Sequence, residues 1–84
     1  MEIPNLETRV KQILTNRLGM PAEEIRTDAQ LVEDLGMDSL DAVELAIAAE
    51  REFKIEISDE QVARLETMAD IMKLIQRLAD EQGP

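Results

Sequence analysis

Residues 31–53, LVEDLGMDSLDAVELAIAAEREF, decide the fold because they join a tight turn to the start of an acidic helix. Gly36 can adopt the backbone conformations that such a turn needs. Asp38 is a favoured N-cap residue, since its carboxylate can accept from the open N–H groups of the first helical turn. Ser39 is then expected at the first helical position, with its hydroxyl in solvent. A phosphate on that hydroxyl would be stabilised by the N–H groups and the positive end of the helix dipole.

The helix that this turn begins, roughly residues 39–53, carries apolar side chains on two opposite faces. At about 100° per residue, one face holds the residues expected in the core, which are Leu45, Ala49 and Phe53, with Ala42 and Ala46 beside them. Leu40, Val43 and Ile47 lie on the other face, among carboxylates. A short chain buries two opposed faces with difficulty. The second face is therefore either a docking surface or a surface covered by another helix and a loop.

Apolar residues at helical spacing predict two more long helices, at about residues 5–18 and 68–78. Asn5 is the expected cap of the first helix, and Gly19 its C-terminal stop. Thr67 is the expected cap of the last helix, and residues 80–84 form a polar tail that we expect to be frayed.

Capping boxes mark two shorter elements. Ser58 with Gln61 predicts a short helix at about residues 59–65. Thr27 with Gln30 predicts one more turn in the long connection after the first helix, where Ile25 and Leu31 are expected to reach the core. The predicted fold is all-α and a single domain, residues 1–84. It is a four-helix bundle of three longer helices and one short helix, with a long loop between the first and second.

The composition disfavours catalysis. The chain has no histidine, cysteine, tryptophan or tyrosine, so Ser39 has no usual base to activate it and is better explained as a substrate of another enzyme. An EF-hand loop starting at Asp34 fails because Leu45 stands where a bidentate glutamate is needed. No metal site is predicted, although weak divalent-ion binding to carboxylate pairs such as Glu33 and Asp34 stays open.

The net charge of −10 is concentrated in the middle of the chain. Residues 32–60 hold ten acidic against two basic residues, a charge of −8, whereas the segments on either side carry −1 each. Such a patch attracts basic partners and argues against nucleic-acid binding. No apolar run approaches the ~20 residues of a membrane span. The N-terminus lacks a signal-peptide pattern, and we predict a cytoplasmic protein.

The run DSLDAVEL, preceded by LVEDLGM, resembles the prosthetic-group site of acyl carrier proteins, and the chain is similar to that family from about Leu6 to Leu78. The resemblance implies a 4'-phosphopantetheine arm, derived from coenzyme A, esterified to Ser39. It implies that Asp38 assists the phosphopantetheinyl transferase reaction. It also implies that partner enzymes recognise the helix beginning at Ser39, and that the acyl chain can be sequestered between helices.

The recognition helix that the resemblance implies has an apolar part and an acidic part in this sequence. The residues that match it are Leu40, Val43 and Ile47 for the apolar part and Asp41, Glu44 and Glu50 for the acidic part. Met37, next to Ser39, is a candidate contact for a partner or the arm. Arg51 and Lys54 depart from the more acidic family members, which suggests a dedicated set of partners.

The resemblance implies a monomeric carrier of acyl thioesters rather than an enzyme. Its expected partners are the phosphopantetheinyl transferase and the acyl synthetases, ketosynthases and acyltransferases of fatty-acid, polyketide or related lipid synthesis, which would carry basic docking patches. Two alternatives stay open. One is a peptidyl or aryl carrier, and the other is an unmodified acidic helical adaptor that binds a basic partner through the exposed apolar face.

Overall fold

Four helices pack around one apolar core in the computed structural model, which describes residues 3–82. They are α1 (Leu6–Leu18), α2 (Ser39–Phe53), α3 (Asp59–Ala63) and α4 (Met68–Gln82), with a short 3₁₀ turn at Ala22–Glu24. Residues 3–82 contain no strand, only an isolated antiparallel bridge between Gln30 and Thr67. None of these helices is long and apolar enough to cross a membrane. The predicted all-α four-helix bundle is confirmed.

The helix bounds match the prediction best for α2, which begins at Ser39 and ends at Phe53 as expected. The short helix α3 ends at Ala63, two residues early, because Arg64 and Leu65 donate to carbonyls only three residues back and so tighten the last turn. The predicted fraying of residues 80–84 is wrong for Asp80 to Gln82, which continue α4. Gly83 and Pro84 lie outside the described residues.

Two hydrogen bonds between α4 and the link that follows α2 explain why the last helix is longer than predicted. The Gln82 side-chain carbonyl accepts from the Glu56 N–H at 2.7 Å, and its amide donates to the Glu56 carbonyl at 3.0 Å. One side chain thus satisfies both backbone groups of a residue that has no helical partner, and it holds the end of α4 in place. The sequence pattern could not reveal this pairing, because the residues are 26 positions apart.

Three of the predicted side-chain caps form and two do not. Asp38, Ser58 and Thr67 each accept from the N–H group three residues later. Asn5 is the N-cap residue of α1, as predicted, and its carbonyl accepts from the Arg9 N–H, but it is in the left-handed conformation (φ 57°) and its side chain makes no capping hydrogen bond. The Thr27–Gln30 box is wrong, because the Gln30 N–H donates to Asp34 Oδ2 at 2.8 Å instead.

Two glycine turns of the same form set the ends of the long connection. Gly19 and Gly36 both have φ 69°, a conformation that glycine adopts without a steric penalty. Each glycine N–H donates to the carbonyl four residues back, and the N–H of the next residue donates to the carbonyl six residues back. Those next residues, Met20 and Met37, are both buried. Each turn therefore changes the chain direction and places a methionine in the core.

The connection between α1 and α2 is ordered, as its apolar residues predicted. Ile25 and Leu31 are both almost fully buried. Backbone hydrogen bonds also tie it to the start of α4, from the Leu31 N–H to the Glu66 carbonyl (2.8 Å) and from the Met68 N–H to the Ala29 carbonyl (3.0 Å). Because Ser39 follows this connection, these bonds help to fix where α2 begins.

Arg9 joins α1 to the end of α2 through three contacts. Its guanidinium lies 4.5 Å from the centroid of the Phe53 ring. The same group donates to the Glu52 carboxylate at 2.9 Å and to the Glu52 main-chain carbonyl at 3.2 Å. That carbonyl is in the last turn of α2, where helix carbonyls lack intrahelical partners and favour a cation. Arg9 therefore caps α2 from a neighbouring helix.

We expect Arg9→Ala to lower the free energy of unfolding by about 1 to 2 kcal/mol, the combined scale of one partly exposed ion pair and one cation–π contact. Lys11→Ala is the matched control, because among residues 3–82 Lys11 pairs only with Glu7 on the surface of the same helix. Its removal should cost ~0.5 kcal/mol or less. Urea denaturation followed by circular dichroism measures both. Equal losses in the two variants would contradict the role given to Arg9.

Candidate functional site

The candidate site is the first turn of α2, where a reciprocal capping box fixes Ser39. The Asp38 carboxylate accepts from the Asp41 N–H at 2.8 Å, and the Asp41 carboxylate accepts from the Asp38 N–H at 3.3 Å. Asp38 is extended, with φ −109° and ψ −175°, so the helix begins with the next residue. Ser39 is that residue, and it is exposed. The prediction that Asp38 caps α2 at Ser39 is confirmed.

The two serines of the chain occupy different positions relative to their helices. Ser58 is itself the N-cap of α3, and its hydroxyl accepts from the Gln61 N–H at 3.1 Å. Ser39 lies one position inside α2, where Asp38 already performs the capping, and its hydroxyl makes no hydrogen bond with any residue that the structure describes. Both serines are exposed, and of the two only Ser39 has a hydroxyl without a hydrogen bond to a described residue.

No metal-binding cluster accompanies Ser39. Among residues 3–82, no group of three or more acidic side chains is arranged to hold a metal ion. The site therefore offers a hydroxyl, two capping carboxylates and the start of a helix, and the helix supplies N–H groups that have no intrahelical acceptor.

The predicted apolar face of α2 is exposed. Leu40, Val43 and Ile47 are 78%, 53% and 46% exposed, respectively. Neither another helix nor the long loop covers them, which favours the docking-surface interpretation. Val32, in the turn before α2, is 67% exposed and was not singled out from the sequence. The sequence offered one signal for this exposure. Leu31 was expected in the core, and the side chain of the next residue in such a turn points in a different direction.

The acidic residues predicted to meet partners differ in their surroundings. Glu44 is exposed, as a docking residue should be. Asp41 is half-buried and is used in the capping box. Glu50 is also half-buried, and its carboxylate accepts from the Ile57 N–H at 2.9 Å, which fixes the link between α2 and α3. Asp41 and Glu50 therefore have structural tasks that the sequence did not reveal.

The prediction for Met37 needs a correction. Its side chain is only 6% exposed, because the Gly36 turn directs it into the core. It therefore has little surface to offer a partner enzyme directly. It can contact only a group that enters the pocket described next.

A pocket of about 280 Å³ opens beside Ser39. Its lining is mostly apolar and comes from the turn before α2, from α2 and from the α3 region; the residues are Leu31, Val32, Met37, Asp38, Ser39, Ala42, Leu45, Val62, Ala63 and Leu65. The α3 residues were not predicted as part of the site. The pocket is close in size to the smallest ligand sites of proteins, which have volumes of about 300 Å³. Ser39 itself is one of its lining residues.

Comparison with known proteins agrees with this geometry. The family model for the phosphopantetheine attachment site matches residues 8–80. An acyl carrier protein of Akkermansia muciniphila is 39% identical over 74 residues, which cover 88% of this chain and 92% of that protein. The covalent cofactor implied by the resemblance, 4'-phosphopantetheine, and the expectation of a carrier rather than an enzyme are confirmed. The chain belongs to the acyl carrier protein family.

Proposed function

We propose that Ser39 is the phosphopantetheine attachment residue, and that the arm carries acyl groups as thioesters to enzymes of fatty-acid, polyketide or related lipid synthesis. The observation that carries this proposal is the exposed, uncommitted Ser39 hydroxyl at the first position of α2, beside an apolar pocket. The chain has no cysteine, so the thiol that holds the acyl group comes from the arm.

The start of α2 suits a phosphodiester. The Asp38 carboxylate accepts from Asp41, which leaves the Ser39 and Leu40 N–H groups free to donate to phosphate oxygens. The helix dipole favours the negative charge, whereas the nearby carboxylates of Asp38 and Asp41 oppose it. The family resemblance gives the Asp38 carboxylate a further task, which is to assist the transferase reaction through the magnesium ion of that reaction.

The exposed row of Leu40, Val43 and Ile47, with Glu44, forms the proposed docking surface. Its apolar side chains supply area to bury, and the acidic segment steers basic partners toward it. The partners proposed for it are the transferase, acyl synthetases, ketosynthases and acyltransferases. Contacts of this kind are weak and depend on salt, so the carrier can leave each enzyme in turn.

The pocket beside Ser39 is the proposed site for the first part of the acyl chain. Its walls are apolar, and burial of a chain there gains roughly 0.8 kcal/mol per methylene. Ala42 lies on α2 in the wall of the pocket and leaves room that a larger side chain would fill.

A peptidyl or aryl carrier remains the alternative cargo class, and family membership weighs against the unmodified adaptor. We further propose a monomeric, cytoplasmic, single-domain protein. The absence of cysteine supports a reducing compartment.

Incubation with coenzyme A, magnesium and a broad-specificity phosphopantetheinyl transferase should add one phosphopantetheinyl group, because the Ser39 hydroxyl is free. Ser39→Ala should gain nothing. Ser58→Ala is the matched control and should be modified fully, although it loses the cap of α3. Intact mass spectrometry measures all three, and a mass gain in Ser39→Ala would refute the assignment.

Asp38 has two proposed tasks, to cap α2 and to assist modification, and two substitutions separate them. Asp38→Ala should lower stability by about 1 kcal/mol through loss of the cap and should also slow modification. Asp38→Ser keeps a capping oxygen and should recover most of the stability, but not the modification rate, because it lacks the carboxylate. Thermal unfolding and the time course of mass gain give the two readouts. Recovery of both by serine would show that Asp38 acts only as a cap.

The pocket beside Ser39 should respond to the length of the acyl chain. Loading acyl chains of increasing length onto the arm should change the NMR shifts of Met37, Leu45 and Leu65, which line the pocket. Ala42→Leu should abolish these changes by filling the space, and attachment of the arm should remain. Length-independent shifts in the parent protein would exclude this pocket as the acyl site.

A further inference from the structure

A second groove lies between α1 and α2, and none of its lining residues belongs to the pocket beside Ser39. It has a volume of about 260 Å³, and its walls come from the two helices; the lining residues are Arg9, Gln12, Ile13, Asn16, Arg17, Ala48, Arg51 and Glu52. Arg51 follows Ser39 by twelve residues on α2, which places it about 18 Å along the helix at ~1.5 Å per residue. The groove is thus separate from the serine and its pocket.

The groove is basic although the protein is strongly acidic. Three of the nine basic residues of the chain line it, against one acidic residue, whereas the whole chain carries 19 acidic residues. Arg9 and Glu52 neutralise each other. Arg17 and Arg51 remain, one on each wall, and both are exposed. Within residues 3–82 neither has an ion-pair or hydrogen-bond partner.

The lining of the groove indicates what kind of anion fits it. The buried side chains of Ile13 and Ala48 form an apolar floor, and Gln12 and Asn16 add amide groups that can pair with a peptide backbone. A guanidinium on each wall can bind a carboxylate with two parallel hydrogen bonds. Carboxylates on either side of an apolar side chain complement this arrangement, and a compact inorganic anion would leave the floor uncovered.

We propose that this groove is a second docking surface and that it takes an acidic peptide segment of a partner enzyme. The identity of the partner as an enzyme that acts on the carrier rests on the proposed function; the binding of an acidic segment does not. Such a partner would present basic groups to the start of α2 and carboxylates to its end. This pattern of two signs along one helix would discriminate against enzymes whose docking patch is basic throughout, through like-charge repulsion at Arg51.

The test is an NMR titration of the ¹⁵N-labelled protein at ~0.15 M salt, where the Debye length is about 8 Å and the acidic end of α2 is largely screened from the groove. The probe is a capped pentapeptide with four glutamates around a central leucine. We expect saturable shifts of the backbone amides around Arg17 and Arg51 and of their side-chain N–H signals. The same peptide with glutamines in place of the glutamates should give none.

Matched variants assign the effect to the groove. Arg17→Ala with Arg51→Ala should weaken binding of the glutamate peptide about tenfold, which corresponds to ~1.4 kcal/mol. Arg26→Ala with Lys73→Ala removes the same charge from outside the groove and should leave binding unchanged. Equal weakening in both pairs, shifts spread over the surface, or shifts confined to the Ser39 pocket would each overturn the proposal.

Two further experiments distinguish other ligands of the groove. Inorganic phosphate that produced the same shifts at lower concentration than the peptide would replace the acidic segment with a phosphate ligand. The same shifts on concentrating the protein alone would replace it with a second copy of the chain. The titration is repeated on Ser39→Ala, which cannot carry the arm. Peptide binding by Ser39→Ala would support the groove proposal whatever the mass assay shows for the parent protein. Failure of the groove proposal and failure of the attachment proposal can therefore be told apart.

Discussion

The reciprocal hydrogen bonds between Asp38 and Asp41 are the interaction on which the site depends. They end the extended segment at Asp38 and begin α2 at Ser39, so one hydroxyl is left exposed and uncommitted. A cap placed one residue later would make Ser39 itself the capping group, as Ser58 is for α3. The two serines therefore differ by one position relative to their helices: Ser39 is the first residue of α2, whereas Ser58 is the residue before α3.

The rest of the fold holds this helix start in place. The Gly36 turn directs Met37 into the core immediately before the cap. Backbone hydrogen bonds between the long connection and the start of α4 fix the segment that precedes the turn. At the other end of α2, Arg9 caps the Glu52 carbonyl and packs on Phe53. The function needs one well-placed residue, and the contacts of three helices and a loop place it.

The sequence predicted well what local signals determine. Both ends of α2, the caps at Ser58 and Thr67 and the burial of Ile25 follow from short-range patterns, and all are confirmed. The predictions failed where a distant or unexpected partner decides the outcome. Residues 80–82 stay helical because Gln82 reaches Glu56. The hydrogen bond from the Ile57 N–H to the Glu50 carboxylate is a structural contact that the sequence did not reveal. The groove with Arg17 and Arg51 needs two helices side by side, so no single stretch of sequence could reveal it.

Peptide mapping by tandem mass spectrometry of the protein purified from the cells that make it tests directly whether Ser39 carries the arm. Proteolysis separates Ser39 from Ser58, so the position of the modification can be read without any added transferase. We expect a phosphopantetheinyl group on the peptide that contains Ser39 and none on the peptide that contains Ser58. An unmodified Ser39 in protein from growing cells, or an arm on Ser58, would contradict this expectation.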